Sequence, residues 1–204
     1  MRRGGAAGGL AACMAALALL PACAATRRAA ALDPALLAGR PLVVMLPLAN
    51  LSGRLESGDL TSRLFYAELA KTRAFELVDW GEAERLVETL RVRDTGAPTP
   101  AQLAAILDST GARYVLAGSV LESGSVRTPE GDVPAVGVSL RLIDAATRRA
   151  VWADARFRTG EDDETLFGWG RETSLARVTE RLARDMFETF RAAGAAADTT
   201  RRGS

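Results

Sequence analysis

Apolar residues in the first half of the chain follow two spacings, one typical of strands and one of helices. Pro41–Leu48 is a continuous apolar run bounded by prolines, which predicts a strand buried on both faces. The loop formers Asn50–Gly53 follow, and apolar or small residues then recur at helical spacing over Leu60–Thr72. Phe75–Asp79 alternates as a short strand. This part of the chain therefore predicts a strand, a helix and a second strand.

Capping signals mark two further helices. Asp79, with Glu82 three residues later, is an acceptable N-cap pair for a helix that reaches about Leu90. Thr99–Gln102 is a stronger start signal, because it combines a capping threonine, a proline at the first helical position and a glutamine at the third. We expect this second helix to end at Gly111, where a glycine suits the left-handed conformation that closes many helices.

Beyond these helices the apolar period changes to two. Three segments with this spacing predict strands: Arg113–Glu122, Ala135–Ile143 and Arg149–Arg158. Asp144–Thr147 is a turn with Asp in its first position, so the last two strands form a predicted hairpin. A final helix begins near Ser174, and its apolar face consists of Leu175, Val178, Leu182, Met186 and Phe190. The complete order is β-α-β-α-α-β-β-β-α.

This order predicts a single α/β domain over residues 41–191, with a mixed β-sheet and helices packed on its faces. The helix between the first two strands favours parallel pairing, and the hairpin favours an antiparallel edge. Ser123–Val133 and Thr159–Thr173 are interpreted as connectors. Residues 192–204, rich in Ala, Thr, Arg and Gly, are expected to form a disordered tail.

The N-terminal segment carries positive charge, then an apolar stretch, then small residues. Arg2 and Arg3 precede the uncharged run Gly4–Ala25, which is the layout of a secretory signal. Its end, Leu20–Cys23, resembles a bacterial lipobox, in which the cysteine is acylated and the chain is cut before it. Several acyl chains, at roughly 0.8 kcal/mol per buried methylene, make a durable anchor. We therefore predict a signal peptide over 1–22, lipid on Cys23 and a lipidated tether over 23–40.

Cys13 also ends a lipobox-like segment, Leu10–Cys13. Only Gly, Ala and one Leu precede it after the two arginines, which is too weak for the apolar stretch of roughly 7–15 residues that such signals need. Cys23 is therefore the better candidate. An uncleaved signal-anchor helix is a further alternative, because Gly4–Ala25 just reaches the roughly 20 residues needed to span a bilayer. The many small residues and Pro21 disfavour it.

Composition excludes several classes of site. The chain has 26 Lys and Arg against 25 Asp and Glu, so no basic bias indicates nucleic-acid binding. The absence of His removes the commonest general base and the commonest metal ligand. With Cys23 acylated and Cys13 removed with the signal, no thiol is left for a disulfide or a cysteine metal site. We therefore expect no cofactor and no metal.

Four segments resemble one group of bacterial envelope lipoproteins. They are Pro41–Leu48 with Asn50–Gly53, Phe75–Asp79, Gly111–Ser119 and Val138–Asp144. In this order they resemble the curli-assembly CsgG family, the lipoprotein activators of penicillin-binding proteins, the PelC exopolysaccharide lipoproteins and the TolB N-terminal domain. The resemblance implies an α/β domain tethered to the outer membrane and facing the periplasm, and Ala24 after the lipidated cysteine favours that sorting. In the family the hairpin turn carries a glycine where this chain has Arg148.

Candidate catalytic and ligand-binding motifs have simpler interpretations. Glu161–Glu164 lacks the spaced ligands of a calcium loop, and four acids in a connector are expected to be solvated. The serines have no histidine to activate them, and the only lysine, Lys71, lies on a predicted helix. Gly-rich phosphate-binding motifs are absent from the sequence. We therefore predict that the protein is not an enzyme, and a hydrolase is the least favoured hypothesis.

Phe167 and Trp169, in a glycine-flanked part of the second connector, are the candidate interface. Trp is enriched at binding hot spots, but the favoured alternative for Trp169 is that it covers the edge of the core. The favoured function is an outer-membrane lipoprotein that binds or scaffolds an envelope assembly or secretion machine, with self-association into a ring as a further expectation. The alternative is a subunit of a curli-type secretion pore. It is disfavoured because neither connector resembles the amphipathic strands of about 9–11 residues that span a membrane.

Overall fold

The fold is described from a computed structural model, which covers residues 33–129, 131–165 and 169–202. One sheet contains all the described strands: β1 (Leu42–Met45), β2 (Ala49–Asn50), β3 (Glu76–Leu77), β4 (Tyr114–Thr128), β5 (Gly131–Asp144) and β6 (Arg149–Thr159). Their order is β3-β1-β4-β5-β6, and β2 pairs with β4 beyond the end of β1. Strand β1 pairs in parallel with β3 and with β4, and β2 pairs in parallel with β4. The pairs β4–β5 and β5–β6 are antiparallel. The predicted mixed sheet is confirmed.

Among the described residues five helices pack on this sheet: α1 (Ser57–Thr72), α2 (Trp80–Thr89), α3 (Pro100–Thr110), α4 (Leu175–Met186) and α5 (Glu188–Arg202). A short 3-10 turn, Pro34–Leu37, precedes β1. The predicted caps are confirmed. Thr99 and Gln102 form a reciprocal capping box, Gly111 ends α3 at φ 69°, and Asp79 accepts a hydrogen bond from the amide of Gly81. In the part of the chain that the structure describes, no helix is long and apolar enough to cross a membrane.

The sheet divides the core into two layers. Helices α1, α4 and α5 cover one face, where Phe190 is fully buried and contacts the rings of Phe75, Trp152 and Phe187. Helices α2 and α3 cover part of the other face, above Val115 and Ile143. The two helices leave the far end of this second face open.

Three predictions from the sequence are wrong in detail. Ser123–Val133 is not a connector, because β4 and β5 continue through it to Thr128 and Gly131. Asn50 lies in β2 rather than in a loop. The final helix is two helices separated by Phe187, which is the C-cap residue of α4. The residues at the adjoining ends of β4 and β5 are mostly polar, so no alternation of apolar and polar positions predicted strands there. Backbone pairing does not require such alternation.

The segment expected to be a disordered tail is helical as far as Arg202. Gly194 lies so close to the carbonyl oxygen of Thr72 and the backbone of Ala74 that a Cβ at this position would collide with them. The helix is therefore packed against the end of α1. The composition of this segment could not predict that the helix packs against α1, because the close contact is made by the backbone of Gly194.

Candidate functional site

The sequence predicted three site residues, and the structure describes one of them. Cys23 and Phe167 lie outside the described residues. Trp169 lies between β6 and α4, and 76% of its surface is exposed. The alternative that Trp169 covers the edge of the core is therefore wrong, while its role in an interface stays a prediction.

Backbone contacts hold together the two described parts of the segment that carries Trp169, residues 160–165 and 169–173, which we call the Trp169 loop. At its ends the amide of Glu172 donates to the carbonyl of Gly160 at 2.8 Å. Near its tip the amide and hydroxyl of Thr165 donate to the carbonyl of Trp169 at 2.7 and 3.0 Å. Gly170 has φ 94° and leaves no space for a Cβ beside the carbonyl of Asp163. The backbone of Trp169 is thus held while its ring faces solvent.

The acidic run Glu161–Glu164 fixes this loop to the domain. Arg171 Nη2 lies 2.8 Å from Glu161 Oε1, which also accepts a hydrogen bond from Thr128 at the end of β4. Asp163 Oδ2 pairs with Arg158 of β6 at 2.6 Å and with Arg181 of α4 at 2.8 Å. The expectation that these acids are merely solvated is wrong, because the sequence could not show which arginines the fold brings to them.

Two carboxylates of the loop have lowered pKa values. The hydrogen bond from Arg158 is the main cause for Asp163, with further Coulomb attraction from Arg158 and Arg181. For Glu172 the main cause is the hydrogen bond from the backbone amide of Ser174, the N-cap residue of α4. Glu172 Oε1 accepts from the amides of both Thr173 and Ser174 at 3.0 Å. Both acids are therefore stabilised as anions, which favours a charged, paired loop at neutral pH.

Two side chains that a hydrolase could use, Ser62 and Lys71, are committed to structural contacts. The hydroxyl of Ser62 donates to the carbonyl of Gly58 at 2.6 Å and accepts from the amide of Leu48 at 2.9 Å. Lys71 pairs with the buried carboxylate of Glu68 at 2.5 Å. Within the described residues no group of three or more Cys, Asp or Glu side chains could hold a metal ion.

A cavity of about 800 Å³ was not predicted from the sequence. It lies on the open end of the second sheet face, and we call it the sheet groove. Its floor is formed by β4, β5 and β6, and one wall is the loop 93–97. No sequence motif marks it, because its residues come from five separate segments and most of them are small.

A protein-family model matches most of the domain. The family is described as peptidoglycan-synthase activator LpoB, and its model matches residues 31–156. The chain belongs to the LpoB family. This supports the predicted resemblance to activators of penicillin-binding proteins, whereas the resemblance to curli-assembly proteins stays a prediction. The matched residues end in β6, so the Trp169 loop of this LpoB-family chain lies beyond them. Among curated proteins no match was found.

Solved structures of other bacterial proteins share the fold of this LpoB-family chain. A PelC dodecamer from Paraburkholderia phytofirmans is 22% identical with a TM-score of 0.53, over 80% of this chain and 92% of that one. Lipoprotein GNA1162 from Neisseria meningitidis is 14% identical with a TM-score of 0.51, over 72% and 99% of the two chains. The protein CT253 from Chlamydia trachomatis is 15% identical with a TM-score of 0.51, over 77% and 99%. At these identities the likeness concerns the fold.

Proposed function

We propose that this chain is a non-enzymatic envelope lipoprotein that binds a peptidoglycan synthase and raises its activity. The observation that carries the proposal is the match of residues 31–156 to the family of peptidoglycan-synthase activators. The commitment of Ser62 and Lys71 to structural contacts is consistent with a protein that acts by binding.

The anchor that we propose is lipid on Cys23, which would hold the domain at the periplasmic face of the outer membrane. The described chain enters the sheet at β1, where Val43 lies beside Tyr114 at the start of β4. The Trp169 loop contacts the other end of β4 through Thr128. Since β4 has 15 residues, each advancing about 3.4 Å, roughly 50 Å of strand separates the two ends.

The position of the tether and the Trp169 loop at opposite ends of β4 suits a lipoprotein that extends away from its own membrane. The end of the sheet that follows the tether would face the lipid, and the Trp169 loop would face the periplasm. We propose that the loop contacts the synthase, with Trp169 as the exposed anchor residue. Because the loop lies outside the family match, this contact would be a property of the present chain rather than of the whole family.

The proposal is tested by glycan-chain synthesis from the lipid-linked precursor, catalysed by a purified peptidoglycan synthase of the same bacterium. We expect the full-length protein to increase the rate and to cross-link to the synthase in cells. Heat-denatured protein is the control. If no synthase of this bacterium responds and none is cross-linked, the proposed function is wrong.

A further inference from the structure

The floor of the sheet groove is a patch of small residues in register across three strands. Ser119 of β4 lies opposite Ser139 of β5, which lies opposite Ala155 of β6. In the neighbouring row Arg141 of β5 lies opposite Ala153. Leu51 adds apolar surface at the side, and 65% of it is exposed. The groove therefore offers a broad, shallow floor with a single long side chain in it.

The wall formed by residues 93–97 is fixed in place. Gly96 lies so close to the hydroxyl of Ser119 and the carbonyl of Gly118 that a Cβ would collide with the hydroxyl. Asp94 Oδ1 accepts hydrogen bonds from the amides of Gly96 and Ala97 at 3.0 and 3.2 Å. Arg141 Nη2 donates to the carbonyl of Gly96 at 2.5 Å. The groove is thus formed in advance, which lowers the entropic cost of binding.

The charged groups of the groove are unequally satisfied. Both carboxylates are engaged, since Asp94 caps its own turn and Asp154 pairs with Arg156 at 2.7 Å. The two guanidinium groups of the groove are less fully engaged. Arg93 is exposed and makes no hydrogen bond or ion pair with the described residues, and Arg141 uses only Nη2. The hydroxyls of Ser119 and Ser139 likewise have no hydrogen-bond partner among them.

We propose that the sheet groove binds an extended peptide segment of another protein through a carboxylate on that segment. Guanidinium groups recognise carboxylates with paired, charge-assisted hydrogen bonds, and Arg93 and Arg141 both line the cavity. A volume of about 800 Å³, lined mostly by small residues, suits several residues of peptide better than a single anion. The proposal does not depend on the partner being a peptidoglycan synthase.

The test uses the full-length protein in detergent and a library of acetylated hexapeptides with amidated C-termini, so that only side chains supply carboxylates. Bound peptides are sequenced, and the best one is synthesised for calorimetric titration. We expect enrichment of Asp or Glu, and weakening by about tenfold or more for Arg93→Glu and for Ala155→Trp, which fills the floor. Arg85→Glu and Ala192→Trp, at exposed positions outside the groove, are the matched controls.

Three results would overturn the proposal. In the first, acidic peptides are not enriched. In the second, the Asp→Asn or Glu→Gln version of the best peptide binds as well as the acidic one. In the third, inorganic phosphate alone binds with the same dependence on Arg93, which would assign the groove to a small oxyanion. Melting curves of all four variants show whether they remain folded. Failure here leaves the synthase assay unaffected, so the two proposals can fail separately.

Discussion

Arg158 Nη2 lies 2.6 Å from Oδ2 of Asp163, and the same guanidinium pairs through Nη1 with Asp185. One side chain of β6 thus joins the acidic run of the Trp169 loop to helix α4. Asp163 is bound a second time by Arg181. An exposed loop that carries a large aromatic residue is therefore held at its base by a small network of ion pairs, and this network has a pH dependence that can be measured.

The first prediction concerns the thermal stability of the protein at low pH. The pKa of Asp163 is lowered by Arg158, so its contribution to stability is fully present above the unfolded value of about 4 and disappears as the pH falls through the lower folded value. Asp163→Asn should therefore have a lower melting temperature than the wild type at neutral pH, and this difference should shrink below about pH 4. Thermal denaturation over a pH series measures it. A difference that is the same at every pH would show that the Asp163 charge does not cause it.

The second prediction compares two tryptophans. Trp169→Ala should change the free energy of unfolding by less than about 0.5 kcal/mol, because the ring is 76% exposed, but should remove cross-linked partners or oligomers. Trp152→Ala, at a ring that is 2% exposed, should cost about 3–5 kcal/mol. Chemical denaturation and cross-linking in cells measure the two effects. Loss of stability in Trp169→Ala with complexes intact would contradict the interface.

Local signals in the sequence predicted the helices well, because their determinants are adjacent residues. The capping box of Thr99 and Gln102 and the closing Gly111 are complete within a few positions, and the structure shows each of them. The pairing of β4 with β5 beyond Glu122 was not predicted, because it joins residues such as Ser123 and Val136, which are not neighbours in the chain.

The candidate sites were harder to predict for the same reason. The partners of Asp163 come from β6 and α4, and the floor of the sheet groove comes from three strands. Their significance depends on which residues the fold brings together. Trp169 could be singled out from its glycine neighbours, but its exposure could not be decided without the fold.

The third prediction concerns the turn between β5 and β6. Arg148 has φ 61° and donates its amide to the carbonyl of Asp144 at 2.7 Å, so it occupies the left-handed conformation that glycine adopts more readily. Arg148→Gly should raise the free energy of unfolding by about 1 kcal/mol, as measured by urea denaturation. Arg149→Gly, in the strand, should instead lower it by roughly 0.5–1 kcal/mol. A loss of stability in Arg148→Gly would contradict the assigned strain.

The fourth prediction tests whether the C-terminal helix α5 packs against α1 at Gly194. In an unpacked helix Gly194→Ala would add roughly 1 kcal/mol of stability, because alanine is the better helix former. Here a Cβ would collide with the carbonyl of Thr72, so the substitution should destabilise the protein. Ala192→Gly, at an exposed position, is the control for helix formation and should cost roughly 0.5–1 kcal/mol. Stabilisation by Gly194→Ala would show that α5 does not pack against α1.

The fifth prediction concerns the anchor. Cys23 follows an adequate apolar stretch and Cys13 does not, so Cys23→Ser should abolish labelling with a fatty acid and move the protein from the membrane to the soluble periplasmic fraction. Cys13→Ser is the matched control and should be labelled normally. Radiolabelled palmitate and fractionation of cells measure both variants. If the control loses the label and Cys23→Ser keeps it, the anchor is at Cys13, and the domain would begin its tether ten residues earlier in the sequence.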